Sequence, residues 1–173
     1  AKTTLTGIIR SFDNGRTWEQ QPKRLPVPFV FDATDGPIIK LQDGSALICV
    51  YGKTVEAKHD MVAFCRSTDS GETWEFLSTL STDHEMSETA VAQRPDGRLV
   101  LIARPEGDIA WSRDGGRSWT TPVPFGIRLF EPRLMTLRDG TLLCLHGSYG
   151  AGGFRAMFST DSGKTWICSA EKW

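Results

Sequence analysis

The apolar residues of this chain fall in short runs, each closed off by a polar turn rather than recurring at helical spacing. Three of these runs follow an Asp-Gly pair and share one layout: LQDGSALICVYG (Leu41–Gly52), RPDGRLVLIAR (Arg94–Arg104) and LRDGTLLCLHG (Leu137–Gly147). Asp-Gly between two apolar runs predicts a tight β-hairpin. The run after each hairpin is nearly continuous, as expected of a strand buried on both faces. No stretch carries a sustained i, i+3, i+4 pattern with caps, so the chain is read as all-β.

A second signal alternates with the hairpins. It is an eight-residue box of Ser, any, Asp, any, Gly, any, Thr or Ser, Trp. The copies are SFDNGRTW (Ser11–Trp18), STDSGETW (Ser67–Trp74), SRDGGRSW (Ser112–Trp119) and STDSGKTW (Ser159–Trp166), at intervals of 56, 45 and 47 residues. The Asp can accept bonds from amides of its own turn, the Gly can take positive φ, and the Trp can cover neighbouring strands. Each repeat therefore holds four antiparallel strands. In the middle repeat, strand A is expected at about Thr89–Gln93, B at Leu99–Ala103 and C at Ile109–Ser112, with D beginning near Ser118. Four-stranded units of this length are the signature of a β-propeller blade. Residues 36–80, 88–124 and 131–173 make three blades, and residues 4–20 supply half of an earlier one. The whole of 1–173 reads as a single propeller segment of about three and a half blades. An open arc leaves edges unpaired, so the count favours a piece of a longer protein over a homo-oligomer that closes the ring with another copy.

Strand order assigns the loops. The starts of A, the ends of B and the starts of C share one end, here called the top, and the boxes lie at the other. Eight residues before the hairpin aspartates Asp43, Asp96 and Asp139 stand Asp35, Glu88 and Glu131; eight after them stand Tyr51, Arg104 and Gly147. Carboxylates are thus expected around the mouth of a central channel. In the middle blade Glu88 and Arg104 emerge side by side, either as an ion pair tying off two strand ends or as a base beside a guanidinium able to fork onto a carboxylate. Lys53, His59, Asp60, Tyr149 and Arg155 are further top-face candidates. Arg128 and Arg133 flank Glu131 as prospective surface ion-pair partners.

Charge narrows the partners. The chain has 20 Lys and Arg against 21 Asp and Glu, which argues against a basic nucleic-acid surface or a polybasic membrane face, and no apolar run is long enough to span a bilayer as a helix. The four cysteines, Cys49, Cys65, Cys144 and Cys168, lack CxxC spacing and are expected as buried free thiols. No metal cluster, phosphate loop or Ser-His-Asp order is present, so no cofactor is expected.

The four boxes resemble the Asp-box, or BNR, repeats of the sialidase-like propellers, with only Ser118 replacing the usual Thr. The stretch Ser87–Arg104 is similar to the family segment with a catalytic Glu before strand A and an Arg after strand B. The resemblance implies a six-bladed ring and retaining hydrolysis of an acidic sugar from a glycan through a Tyr nucleophile. It implies that Glu88 is the base activating that Tyr and Arg104 one of three arginines holding the carboxylate. More loosely, it makes Arg155 a second arginine and Asp60 the acid/base. The family's Arg-Ile-Pro segment is replaced by DGPIIKL (Asp35–Leu41), and Tyr149 lies in a loop rather than on a late strand. The alternative is a non-catalytic module binding glycan or protein on its top face.

Overall fold

A computed structural model of the chain describes residues 4–149 and 152–168. The expected last unit, 131–173, therefore lies partly outside the described residues. The first sheet is a short pair, β1 (Gly7–Ile8) with β2 (Lys23–Arg24). The second contains β3 (Phe31–Ala33), β4 (Ile39–Lys40), β5 (Ala46–Lys53), β6 (Met61–Ser67) and β7 (Glu75–Leu80). The third has β8 (Ser87–Gln93), β9 (Leu99–Arg104), β10 (Asp108–Ser112) and β11 (Val123–Pro124). The fourth has β12 (Leu129–Thr136), β13 (Leu142–Ser148), β14 (Phe154–Ser159) and β15 (Ile167–Cys168). Every pairing is antiparallel between neighbours in sequence, except that β3 and β4 both pair β5, forming one inner strand with a break between them.

The sheets stack face to face in chain order, as blades do. In β9, Leu99, Leu101 and Ala103 join Leu47, Cys49, Val62 and Phe64 of the preceding sheet, while Val100 and Ile102 join Leu129, Leu142, Cys144 and Met157 of the following one. Alternation along a strand buried on both faces is what the continuous apolar run encodes. A third cluster sets Ile8, Leu25, Val27 and Phe29 against Ile48, Val50, Ala63 and Cys65. The far side of the last sheet leaves Met135, Leu145, Phe158 and Ile167 exposed. Cys49, Cys65 and Cys144 are buried free thiols, each pushed up to about 12 by burial. Cys168 departs from expectation: it sits on the edge strand β15 and is exposed.

The three Asp-Gly hairpins are superposable in their bonding. The amides of Leu41, Arg94 and Leu137 donate to the carbonyls of Ser45, Arg98 and Thr141, and the amides of Gly44, Gly97 and Gly140 donate back to Leu41, Arg94 and Leu137. The glycines hold φ of 85°, 84° and 88°, a region costly for other residues. Strand D of the third sheet begins later than expected, at Val123. Ser118 is instead held inside the box, with its amide and hydroxyl both on Asp114, and Pro122 has no N–H to pair.

All four boxes make the same turn. The serine hydroxyl donates to the Asp carboxylate at 2.8–2.9 Å and accepts the Gly amide at 2.7–2.9 Å. The amide of the Thr or Ser donates to the same carboxylate. Each of the last three boxes also rests on the preceding sheet. Arg10 reaches the Ser70 carbonyl, the Ser78 hydroxyl donates to the Gly116 carbonyl at 2.7 Å, and the Trp111 indole donates to the Ser162 carbonyl at 2.7 Å.

Two expectations follow from the boxes. Asp13 is held at about 2 by the amide and then the hydroxyl of Thr17. Asp69 and Asp161 are held at about 2 by the hydroxyl and then the amide of Thr73 and Thr165. Carboxylates depressed on folding contribute stability above their unfolded pKa and lose it as pH falls through the folded one. The box carboxylates should therefore contribute in full above pH ~4 and lose that contribution between ~4 and ~2, read as a fall in the urea midpoint over that range. The second expectation concerns Asp114→Ala, which should cost about 1 kcal/mol through the unsatisfied turn amide, as read by urea denaturation.

Candidate active site

The top end brings Glu88 and Arg104 together. Ser87 pairs Arg104 in register, and the ladder then shifts between Ser87 and Thr89, leaving Glu88 as the extra residue of a bulge. Glu88 has φ of 36°. The equivalent Glu131 has φ of 48° and lies in a matching shift between Phe130 and Arg133. A non-glycine residue in this region is uncommon, and bulges re-aim side chains at sheet ends. Asp35 occupies the same place in the second sheet, in the break between β3 and β4. An acidic residue thus marks an interrupted inner strand in all three sheets.

The Arg104 guanidinium donates through Nη1 to Glu88 Oε1 at 2.8 Å and through Nε to the Tyr149 hydroxyl at 2.7 Å. Glu88 Oε2 accepts the Glu131 amide at 2.7 Å. The side chains of Glu88 and Arg104 are 17% and 33% exposed, so the pair is partly sheltered but open to solvent. The hydrogen bond with Tyr149, and then the charge of Glu88, hold Arg104 above the ordinary arginine value against burial. Among the described residues Nη2 of Arg104 has no hydrogen-bond partner, leaving one edge of the fork for a ligand.

The fourth sheet has Gly147 where the second and third have Tyr51 and Arg104. A Cβ there would lie 2.1 Å from the Phe130 ring, so only glycine fits. Phe130 meets Tyr149 edge-on, with centroids 5.3 Å apart, and the Arg128 guanidinium lies 5.1 Å from the Tyr149 ring centre. Arg128 pairs with Glu106 at 3.1 Å, and Arg133 donates to the Pro132 carbonyl. Neither pairs with Glu131, whose amide has instead been drawn to Glu88.

The remaining candidates are spread out. Burial, and then the charge of Glu85, raise Asp60 above the usual carboxylate range. Its carbonyl accepts the Met86 amide at 3.0 Å, and its side chain lines a cavity of about 310 Å³ with His59. Tyr51 is pushed up to about 12 by burial, then by the charge of Asp35 and a hydrogen bond with it, with Glu88 and Asp60 adding to the effect. Lys53 ends β5 and is exposed. Arg155 lies on β14 opposite His146; among the described residues no hydrogen bond or ion pair joins it to Glu88, Arg104 or Tyr149.

One pair escaped the sequence reading. Asp108, at the start of β10, is fully buried, and its Oδ2 lies 2.9 Å from His84 Nε2. His84 Nδ1 lies 3.0 Å from Asp83. A lone acid heading a buried strand was the available signal. The hydrogen bond with Asp108 raises His84 above the ordinary histidine value, against burial and with help from Asp83. A raised folded pKa means stability that is present below the unfolded value and lost as pH rises through the folded one. Proton NMR titration should give His84 a midpoint above 6.5, and Asp108→Asn should lower it.

Residues 1–170 match the family model described as BNR repeat-like domain. The chain belongs to the BNR repeat-like family. This BNR-repeat chain is 26% identical, across 92% of its length, to a protein named sialidase from Bacteroides fragilis (strain YCH46), of which it spans 36%. A solved structure of a protein of unknown function from Dyadobacter fermentans superposes with a TM-score of 0.81 at 23% identity, covering 93% of this chain and 51% of that one. A point mutant of NanB sialidase from Streptococcus pneumoniae superposes at 0.67 and 20%, covering 93% and 27%. The GH93 α-L-arabinofuranosidase of Fusarium graminearum superposes at 0.63 and 18%, covering 78% and 47%. The chain thus has the sialidase-like fold and spans between about a quarter and a half of these relatives' lengths.

Proposed function

We propose that this BNR-repeat chain forms part of a glycoside hydrolase of sialidase type, in a six-bladed ring to which it contributes about three and a half blades. Its substrate is a terminal sialic acid or a related acidic sugar on a glycan, in a secreted or periplasmic setting. The observation that carries the reading is the Glu88–Arg104–Tyr149 cluster, a base, a guanidinium and a phenol joined at the top end by bonds of 2.7–2.8 Å. In this reading Glu88 acts as base and the free edge of Arg104 takes the substrate carboxylate. Asp60, with its raised pKa, donates a proton to the leaving group. Tyr149, Arg155 and Glu131 contact the sugar. Sialidases are the glycosidases that use a Tyr nucleophile in place of a second carboxylate; the residue filling that role is left to chemical trapping with a fluorinated sialoside.

A second reading has a specific observation behind it. Both Glu88 oxygens are occupied, and the cluster bridges the third and fourth sheets. The pair would then be a knot between blades in a non-catalytic, glycan-binding module. The test is turnover of a fluorogenic sialoside, and of a fluorogenic arabinofuranoside for comparison, by this chain and by a longer polypeptide containing it. Release from the sialoside supports the hydrolase. No release from a ring verified as complete would leave the binding module.

A further inference from the structure

The end opposite Glu88 holds a cavity of about 460 Å³ between the third and fourth boxes. Its size is that of a small-ligand pocket. Two walls are indoles, Trp111 and Trp119, and three cations reach it, Arg98, Arg113 and Lys164. Both indoles are held in place. Trp111 donates to the Ser162 carbonyl across the gap between sheets, and Trp119 stacks on the buried Phe64 ring at 4.5 Å.

The charge of this cavity is one-sided. None of the side chains lining it is acidic, although the chain as a whole carries a net charge of −1. Arg98 has only a loose partner, Asp96, at 3.6 Å, and among the described residues Arg113 and Lys164 form no ion pair. The neighbouring carboxylates Asp114 and Asp161 accept from groups inside their own boxes. Ser118 and Thr120 add hydroxyls at the rim. A flat apolar face beside exposed cations and hydroxyls suits a sugar ring that carries an acidic group. The C–H face of the ring lies on an indole, and the acid takes the guanidinium and ammonium.

We infer that this cavity is a binding site for an acidic oligosaccharide, separate from the site at Glu88. The ligand's acid could be a carboxylate or a sulfate, and each has its own arm in the test. The 173-residue chain is titrated by calorimetry with tetragalacturonate, a heparin-derived tetrasaccharide, neutral maltotetraose, inorganic sulfate and a single-stranded deoxynucleotide hexamer. The expected result is saturable binding of one or both acidic tetrasaccharides, at least tenfold tighter than maltotetraose, sulfate and the hexamer. Arg113→Glu with Lys164→Glu should weaken that binding at least tenfold with an unchanged melting temperature. The milder Arg113→Ala should weaken it less, and Glu88→Gln should leave it unaltered. Equal binding of maltotetraose or sulfate would overturn the inference. So would tighter binding of the hexamer, an effect of Glu88→Gln equal to that of the charge reversal, or retention of full affinity by the folded double variant.

Discussion

Glu88→Gln should lower sialoside turnover by about 10²- to 10⁴-fold, the range expected for loss of a positioned general base. The effect should fall on kcat and on kcat/KM alike, because the base acts only as the transition state forms. The same change should disturb the ground state too, since Glu88 accepts from both Arg104 and the Glu131 amide. Arg104→Met separates the two roles. Loss of the guanidinium should raise KM for an acidic sugar far more than for its neutral methyl ester. If Glu88 only ties blades together, the two variants should instead share one melting-temperature loss and spare whatever turnover exists.

The largest stability effect is expected at Phe64→Ala, at about 3–5 kcal/mol. Phe64 is fully buried on β6, stacks on Trp119 of the next sheet, and sits among Leu47, Val62, Leu99 and Leu101. Truncation removes the ring from both sheets at once and leaves a cavity that strands cannot easily close. A loss of this size corresponds to a fall in melting temperature on the order of 10 °C for a chain of this length. A loss under 1 kcal/mol by urea denaturation would mean that the two sheets do not depend on this contact.

How much of this was legible in the sequence can be judged from particular residues. The hairpin glycines and box residues are read easily because one residue type answers one local demand. Gly97 needs positive φ, and Asp114 needs amides four residues on. The apolar run Leu99–Ala103 declares a strand buried on both sides. The bulges at Glu88 and Glu131 were hidden, because a glutamate at positive φ breaks the usual preference and carries no compositional mark. The position of strand D after Trp119 depends on how long the box keeps hold of Ser118. The His84–Asp108 pair spans 24 residues, and no periodicity reports a contact between a linker and the head of a strand. Alignment on the Asp-Gly hairpins placed Glu88 beside Arg104; Tyr149 entered the same cluster only through the stacking of the fourth sheet on the third.

The way each box rests on the preceding sheet gives the array a direction. The box of the third sheet leans back on Ser78, and that of the fourth leans back on Trp111. Nothing comparable runs forward from these boxes among the described residues. Trimming from the carboxyl end would therefore leave every surviving clasp seated. Trimming from the amino end would unseat the first clasp that survives. Unravelling should be polar, and amide exchange in progressively shortened chains should show protection lost from the amino-terminal side first.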